Sequence, residues 1–210
     1  MITAGNDRIM LFDPSLNNAE GVIDFVEFGN GERVAMTELP VVGRTMSTSQ
    51  VGATLIGTWA ADNLTVNANA TGVSIDGGKG NDFINATAGS ASIVGGSGDD
   101  SIYAYGSGNT LVYTVGDGAD NVTLSLSSAS DNVLRLHGVS EADLALSKSP
   151  VLPVGAGDTP LIINIGTNSN DSIQLFGLDH SQLLEQRPFD HISFDDGSTL
   201  SYVDLMARGV

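Results

Sequence analysis

The sequence of 210 residues contains no cysteine and few basic residues. Without cysteine the chain cannot form a disulfide, a thiolate metal site or a cysteine nucleophile. Eight Lys and Arg residues stand against 25 Asp and Glu residues, and the formal net charge is −17. This charge disfavours binding to nucleic acids and anionic membranes, whose phosphates it repels, and favours the binding of cations.

Long apolar runs are absent as well. No run of about 18 apolar residues exists, which excludes a transmembrane helix. The opening stretch, MITAGNDRIM, lacks the basic and then apolar layout of a cleaved signal peptide. We therefore expect any export of the chain to use another route, unless the chain is a fragment of a longer protein.

One kind of acid dominates the charged residues. Nineteen of the 25 acids are Asp and six are Glu. Asp favours turns and oxygen-ligand sites, whereas Glu favours helices. Hydrophobic residues make up 41% of the chain, which is typical of a folded protein. The composition therefore predicts an all-β protein with acidic turns.

Short repeats occupy the region between Gly57 and Thr123. Their turn acids are Asp62, Asp82, Asp100 and Asp120, at steps of 20, 18 and 20 residues. The aliphatic residues that follow these acids are Leu64, Ile84, Ile102 and Val122, and those of the intervening segments are Ile75, Ile93 and Leu111. An apolar residue thus recurs about every nine residues, which fits a flattened coil with two short strands per revolution. We predict a parallel β-roll of nonapeptide repeats whose aliphatic side chains point inward.

Two stretches of this region share one motif. GGKGNDFIN at 77–85 and GGSGDDSIY at 95–103 both fit Gly-Gly-x-Gly-x-Asp-x-aliphatic-x, and their starts lie 18 residues apart. Glycine allows backbone conformations that turn carbonyl oxygens to one side, and the Asp adds a carboxylate beside them. One loop offers too few oxygens for calcium, which takes about six to eight, but two stacked loops can share an ion. A phosphate-binding loop is excluded because GGKGND lacks the Lys-Ser/Thr pair.

The repeat region resembles the RTX (repeats-in-toxin) calcium-binding nonapeptides of bacterial proteins that are exported by type I secretion. GNTLVYTVGDGADNV at 108–122 is similar to the degenerate last repeat of such proteins. DNVLRLHGVSEADLALSKS, LIINIGTNSNDSIQLFGL and ISFDDGSTLSYVDLMARG are similar to their haemolysin-type calcium-binding-protein-related region. The resemblance implies a parallel β-roll, calcium between stacked turns, and folding after export into calcium-rich surroundings.

On the matching positions, the resemblance implies a Ca²⁺ site between the loops at 77–82 and 95–100. Its ligands would be the carboxylates of Asp82 and Asp100 and carbonyls around Gly78, Gly80, Gly96 and Gly98. The loop at 115–120 would contribute to a second ion through Gly116, Gly118 and Asp120. The loop at 57–62 departs from the pattern, because it keeps only its first glycine and its Asp.

The turns on the other face of the roll lack the acid of the family pattern. At 68–73, 86–91 and 104–109 the acid position holds Val73, Ala91 and Asn109. We therefore expect a one-sided calcium ladder, with the opposite turns held by ordinary turn hydrogen bonds.

The remaining segments predict four regions. Residues 57–123 form the roll, 44–56 a linker, and 124–210 a capping region of antiparallel strands with helical turns at HSQLLEQ and SYVDLMAR. A cap is expected because an open sheet edge invites pairing with another chain. NDRIMLF at 6–12 matches NDSIQLF at 170–176, and IDFVEFGNG at 23–31 matches FDHISFDDG at 189–197. Residues 1–43 are therefore expected to be the closing strands of a preceding unit.

Aromatic residues are scarce, at 6%, yet three Tyr residues lie close together in the repeats. Two placements are open for these residues. Alternation along short strands can put Tyr103 and Tyr113 outside the roll, where exposed aromatics stack on sugars or partner proteins. The placement that we favour is packing of the three Tyr residues, Tyr103, Tyr105 and Tyr113, against neighbouring rungs or the cap.

The sequence as a whole predicts a non-enzymatic calcium-binding module of a secreted bacterial protein. The three histidines are scattered, and no nucleophile elbow surrounds a serine, so no catalytic cluster can be assembled. The expected partners are calcium ions and the type I secretion machinery. The alternative is an adhesin or polysaccharide-binding repeat module that uses calcium structurally and binds a glycan or a cell surface.

Overall fold

A computed structural model describes most of the chain from residue 42 onward and four short strands before it. The described residues are 2–4, 7–9, 25–27, 31, 33–35, 42–126, 131–148, 160–166, 170–179 and 181–208. Contacts divide the chain into two units, Met1–Val42 and Gly43–Val210.

The first unit contains two antiparallel pairs of strands. Strand β1 (Ile2–Ala4) pairs with β2 (Asp7–Ile9), and β3 (Phe25–Glu27) pairs with β4 (Arg33–Ala35). The rest of the predicted closing segment, apart from residue 31 and residues 42 and 43, lies outside the described residues.

The second unit is built on two parallel sheets whose strands alternate along the chain. Sheet I contains β5 (Thr45–Thr48), β7 (Asn63–Val66), β9 (Phe83–Ala86), β11 (Ser101–Ala104) and β13 (Ala119–Leu124). Sheet II contains β6 (Thr54–Thr58), β8 (Ser74–Gly78), β10 (Ser92–Val94), β12 (Thr110–Thr114) and β14 (Val133–His137). All neighbours within these two sets are parallel. Each revolution therefore adds one strand to each sheet, which makes a β-solenoid of about four turns and confirms the predicted roll.

The core is a stack of aliphatic side chains between the two sheets. In sheet I, Ile84 pairs in register with Leu64 on one side and Ile102 on the other. All the predicted inward residues of the repeats are buried: Leu64, Ile75, Ile84, Ile93, Ile102, Leu111 and Val122. Full burial of such a side chain is worth about 1.5–3 kcal/mol, so this ladder is the main favourable term for the coil.

The segment at 44–56 is part of the coil, which corrects its prediction as a linker. It contains β5 and the start of β6; Met46 packs against the core and Leu55 is buried. Met46 and Leu55 precede Leu64 at steps of nine residues. The regular spacing of apolar residues thus begins before the first loop that carries any part of the glycine motif, at 57–62. Reasoning from the motif therefore missed this first part of the coil.

The C-terminal region caps both sheets with antiparallel strands, as predicted. Strands β15 (Leu144–Lys148), β16 (Leu161–Ile165) and β17 (Ser172–Leu175) form an antiparallel meander, and β18 (His191–Ser193) pairs antiparallel with β19 (Thr199–Ser201). Strand β17 also continues sheet I parallel to β13, and β18 continues sheet II parallel to β14. Parallel pairing therefore extends beyond residue 123, and the cap closes the coil by adding strands to it.

One of the two predicted helical turns is a regular helix. Helix α1 (Tyr202–Ala207) is capped at its N-terminus by Ser201, whose side chain accepts a hydrogen bond from the Asp204 N–H. In the other segment, the described residues 181–186 form hydrogen-bonded turns around Gln182. His180 lies outside the described residues.

The sequence repeat between the two ends of the chain is also seen in how the strands pair. In the β18–β19 hairpin the register pairs are His191 with Ser201, Ile192 with Leu200 and Ser193 with Thr199. In the β3–β4 hairpin they are Phe25 with Ala35, Val26 with Val34 and Glu27 with Arg33. Every pair of the first hairpin maps onto a pair of the second by the offset of 166 seen in the sequence.

Candidate metal site in the stacked glycine turns

The glycine turns of three successive revolutions share one backbone conformation. The six loop glycines predicted to contribute carbonyls all have positive φ: Gly78, Gly80, Gly96, Gly98, Gly116 and Gly118. Side chains other than hydrogen are strained there, so the second and fourth motif positions require glycine. The first motif glycine is required for a different reason: a Cβ on Gly95 would collide with the Asp100 carboxylate.

The turn acids form a ladder that runs from one revolution to the next. Asp82 Oδ1 accepts a hydrogen bond from the Asp62 N–H, and Asp100 Oδ1 accepts one from the Asp82 N–H, both at 2.7 Å. Asp120 Oδ1 accepts the Asp100 N–H at 3.0 Å. All four acids are at most 4% exposed. The carboxylates therefore lie inside the coil, each bound to the backbone of the preceding revolution.

In the two loops that match the whole motif, the second carboxylate oxygen of the Asp residue has a different environment from that of Asp62. Asp62 Oδ2 accepts hydrogen bonds from the Thr58 N–H at 2.5 Å and the Thr58 hydroxyl at 3.0 Å. Asp82 Oδ2 and Asp100 Oδ2 are buried and have no hydrogen-bond partner among the described residues. An ionised oxygen in such a place is unfavourable unless a proton or a cation neutralises it.

Burial changes the acidity of the ladder. It raises the pKa of Asp82 and of Asp100 to about 7, and that of Asp120 to about 8. Hydrogen bonds from backbone N–H groups lower these pKa values in part, and neighbouring acids of the ladder raise them again. The charged form of each buried acid is therefore unfavourable unless a positive charge lies beside it.

The loops at 77–82 and 95–100 are stacked within hydrogen-bond distance, as the 18-residue spacing requires. The Gly78 carbonyl accepts the Ser97 N–H at 2.9 Å, and the Ser97 carbonyl accepts the Gly80 N–H at 2.8 Å. These bonds position Asp82 and Asp100 on adjacent revolutions. The site residues predicted from sequence in these two loops are therefore brought together.

The donor set suits a hard cation only if backbone oxygens take part. In the described part of the chain, no group of three or more His, Cys, Asp or Glu side chains could hold a metal ion. Two buried carboxylate oxygens without partners remain, beside loops rich in carbonyls. Calcium accepts mixed carboxylate and carbonyl ligands, whereas zinc and copper prefer His or Cys, so the residues fit calcium better than a transition metal.

At the loop 115–120, sequence reasoning missed two acids, one from the loop and one from the cap. Asp171, from the cap, accepts the Gly116 N–H at 2.7 Å through Oδ2, and Asp117 accepts the Thr114 N–H at 2.7 Å. Burial raises the pKa of Asp117 to about 6, and the nearby Asp171 charge adds to this. Asp171 could have been found in NDSI, which repeats the Asp-x-aliphatic pattern of the turns.

Tyr113 lies inside the coil, as the favoured packed placement predicts and contrary to the placement outside the roll. It is 1% exposed, because it shares the inward face of β12 with Leu111 two residues earlier. Its hydroxyl donates to the Gly118 carbonyl at 2.5 Å, and the Ser172 N–H donates to the same carbonyl at 3.0 Å. The predicted Gly118 carbonyl is thus already held by two hydrogen bonds.

The opposite turns contain a neutral version of the ladder. Asn109 Oδ1 accepts the Ala91 N–H, and Asn132 Oδ1 accepts the Asn109 N–H, both at 2.9 Å. Asn109 also donates from Nδ2 to the Gly106 carbonyl at 2.8 Å. An amide satisfies the same backbone groups without a buried charge, so the two turn faces of the coil differ in charge and share a hydrogen-bond pattern.

These features define a parallel β-solenoid with a ladder of buried acids on one turn face. A scan against protein-family models found no family that matches the chain, and a search of curated proteins found no similar protein. Among the described residues, none of the helices combines the length and the apolar character needed to span a bilayer.

Proposed function

We propose that the chain is an RTX-type calcium-binding module of a bacterial protein exported by type I secretion, and that it folds on binding extracellular calcium. One observation carries this proposal: Asp82 Oδ2 and Asp100 Oδ2 are buried on adjacent revolutions, and neither has a hydrogen-bond partner in the part of the chain that the structure describes. The net charge of −17 supports it further, because a cation relieves repulsion in a compact acidic chain.

In this proposal the two turns hold the ion between them. Asp82 and Asp100 contribute carboxylates, and carbonyls around Gly78, Gly80, Gly96 and Gly98 complete the ligand set. Bound calcium would supply the positive charge that the buried carboxylates lack. Asp120, with Gly116 and Gly118, is assigned to a second ion shared with the loop of Asp100.

The consequence for the protein is a fold that depends on its surroundings. A ligand that binds only the folded state at about ten times its dissociation constant adds roughly 1.4 kcal/mol per site. Extracellular calcium modules bind with dissociation constants of about 10⁻⁴ to 10⁻³ M, so resting cytosolic calcium would leave the sites empty. The acidic coil would then stay loose inside the cell, in a state suited to export, and fold outside.

The test is a calcium titration followed by circular dichroism and calorimetry, on the wild type and on Asp100→Asn. The substitution keeps an oxygen that can accept the Asp82 N–H but removes one ligand charge, so we expect the calcium midpoint to rise roughly tenfold. Glu185→Gln, which removes one exposed acid far along the chain, is the control and is expected to leave the midpoint unchanged. A β spectrum that is the same in chelator and in millimolar calcium would contradict the proposal.

A further inference from the structure

In the described strands from β5 to β13 and in β17, the outer face of sheet I carries no charged side chain, although the chain contains 25 acids. Alternation along β5, β7, β9, β11, β13 and β17 puts every second residue on this face, opposite the buried aliphatics. The residues of this face are Thr45, Ser47, Asn63, Thr65, Phe83, Asn85, Ser101, Tyr103, Ala119, Asn121, Thr123 and Gln174. Nearly all are neutral hydroxyl or amide side chains. The acids of these revolutions lie in the turns, on the inward face or, like Asp76 in β8, on the other sheet.

An aromatic strip crosses this neutral face. The ring centroids of Phe83 and Tyr103 are 5.4 Å apart, and those of Tyr103 and Tyr105 are 6.2 Å apart. The interplanar angles are 41° and 32°, so neighbouring rings are tilted only moderately and their faces point in similar directions. Phe83 is 39% exposed and Tyr105 is 50% exposed. Contiguous exposed aromatics on a soluble surface mark a binding site more often than chance.

We propose that this face, which we call the aromatic strip, binds a neutral polysaccharide. Its sugar rings stack on Phe83, Tyr103 and Tyr105, since aromatic faces attract the C–H groups of a ring laid over them. Neighbouring amides and hydroxyls, such as Asn85 and Thr123, both donate and accept hydrogen bonds, as sugar hydroxyls do. This function goes beyond calcium binding and rests on the proposed function only in that the coil must be folded.

Charge favours a neutral ligand over an anionic or a cationic one. A chain of net charge −17 repels anionic polysaccharides and nucleic acids, and a cationic ligand would be drawn to the acidic turns instead. Protein interfaces are also rich in Tyr and Phe and have polar rims, so a second copy of the chain is the competing occupant that the experiment has to separate from a glycan. An uncharged glycan chain matches both the rings and their surroundings.

The experiment uses affinity electrophoresis through gels containing laminarin, xyloglucan or galactomannan, and a pull-down on cellulose, with protein that circular dichroism shows to be folded. We expect at least one of these polysaccharides to retain the wild type. Tyr103→Ala and Tyr105→Ala are each expected to weaken binding about tenfold, the upper end for one aromatic contact. Trp59→Ala is the matched control: Trp59 is 46% exposed, lies off the strip beneath Lys79, and is expected to leave binding unchanged.

Three outcomes would overturn the proposal. The first is a folded wild type that none of the four polysaccharides retains, and the second is retention that survives the Tyr103→Ala/Tyr105→Ala double substitution. The third is a wild-type dimer in light scattering that the same double substitution converts to a monomer, which would make a second copy the occupant of the strip. Tyr105→Ala alone, at a half-exposed position, keeps the test valid if the double variant does not fold.

Discussion

At the scale of single residues, the ladder of acids is where stability and function meet. Asp100 is fully buried, and one of its oxygens is used by the Asp82 N–H while the other has no partner among the described residues. A purely structural turn would be served better by an amide, as Asn109 shows on the opposite face. The acid at this position is consistent with the proposed calcium ligand, because a bound cation would compensate its charge.

The raised pKa values predict how the protein without calcium responds to pH. The folded-state pKa of Asp82 and Asp100 is about 7, above the value near 4 of an unfolded chain, so the folded state binds protons more tightly. Their contribution to stability is fully present below about pH 4 and is lost as pH rises through about 7. In chelator, we therefore expect a larger folded fraction at pH 5 than at pH 8, measured by circular dichroism.

Exposed acids whose pKa is lowered in the folded state act in the opposite direction and limit stability at low pH. Hydrogen bonds from Gly138 and His137 lower the pKa of Asp195, so its contribution is lost only in stronger acid. Saturating calcium should reduce the difference between pH 5 and pH 8, because calcium then stabilises the charged form. Equal folded fractions at the two pH values in chelator would argue against buried, uncompensated acids.

At the scale of elements, the coil is a set of short strands that hold one another through turns. A strand of three or four residues has little stability of its own, so the turn ladders decide whether successive revolutions stay in register. The acidic ladder and the asparagine ladder perform this role at opposite ends of the strands. They differ in that only the acidic one is expected to respond to calcium.

Asn109→Ala tests the neutral ladder. It leaves the buried Ala91 N–H without its acceptor and the Gly106 carbonyl without its donor. We expect a loss of about 1–3 kcal/mol in the free energy of unfolding, measured in urea at saturating calcium. The calcium affinity of the folded protein should be unchanged in calorimetry, and a large fall in that affinity would show that the two turn faces are coupled.

At the scale of the whole molecule, the cap completes the coil by extending its sheets. Strand β14 covers β12, and β17 covers β13. Without these strands, the last rung with Leu111 and Val122 would lie at an open edge. Residues 1–42 form a compact unit of their own, and the coil and the cap belong to the other unit.

Two truncations distinguish these roles. A chain beginning at Gly43 is expected to fold with the calcium requirement of the full chain, because the second unit contains both sheets and the cap. A chain ending at Leu126 loses β14, β17 and β18 and is expected to remain unfolded at the same calcium concentration. Circular dichroism measures both; a folded truncated coil would show that the cap is dispensable.

The sequence by itself determined the coil, because its information is local and repeated. Each revolution carries its own turn glycines, its acid and its inward aliphatic residue, so the spacing of Asp82 and Asp100 was enough to predict stacked parallel strands. The nine-residue spacing of apolar residues also includes Met46 and Leu55. These two residues precede the first glycine and Asp turn, so the spacing alone marks this part of the coil. The roles assigned to these residues in calcium binding stay predictions.

Only the tertiary structure decided how the side chains are used. The register between revolutions gives each Asp the backbone N–H of the preceding turn, and it turns Tyr113 inward while Tyr103 lines up with Phe83 and Tyr105. Asp171 meets Gly116 across 55 residues of sequence. Contacts of this kind depend on how the cap folds back onto the coil, and no local pattern encodes that distance.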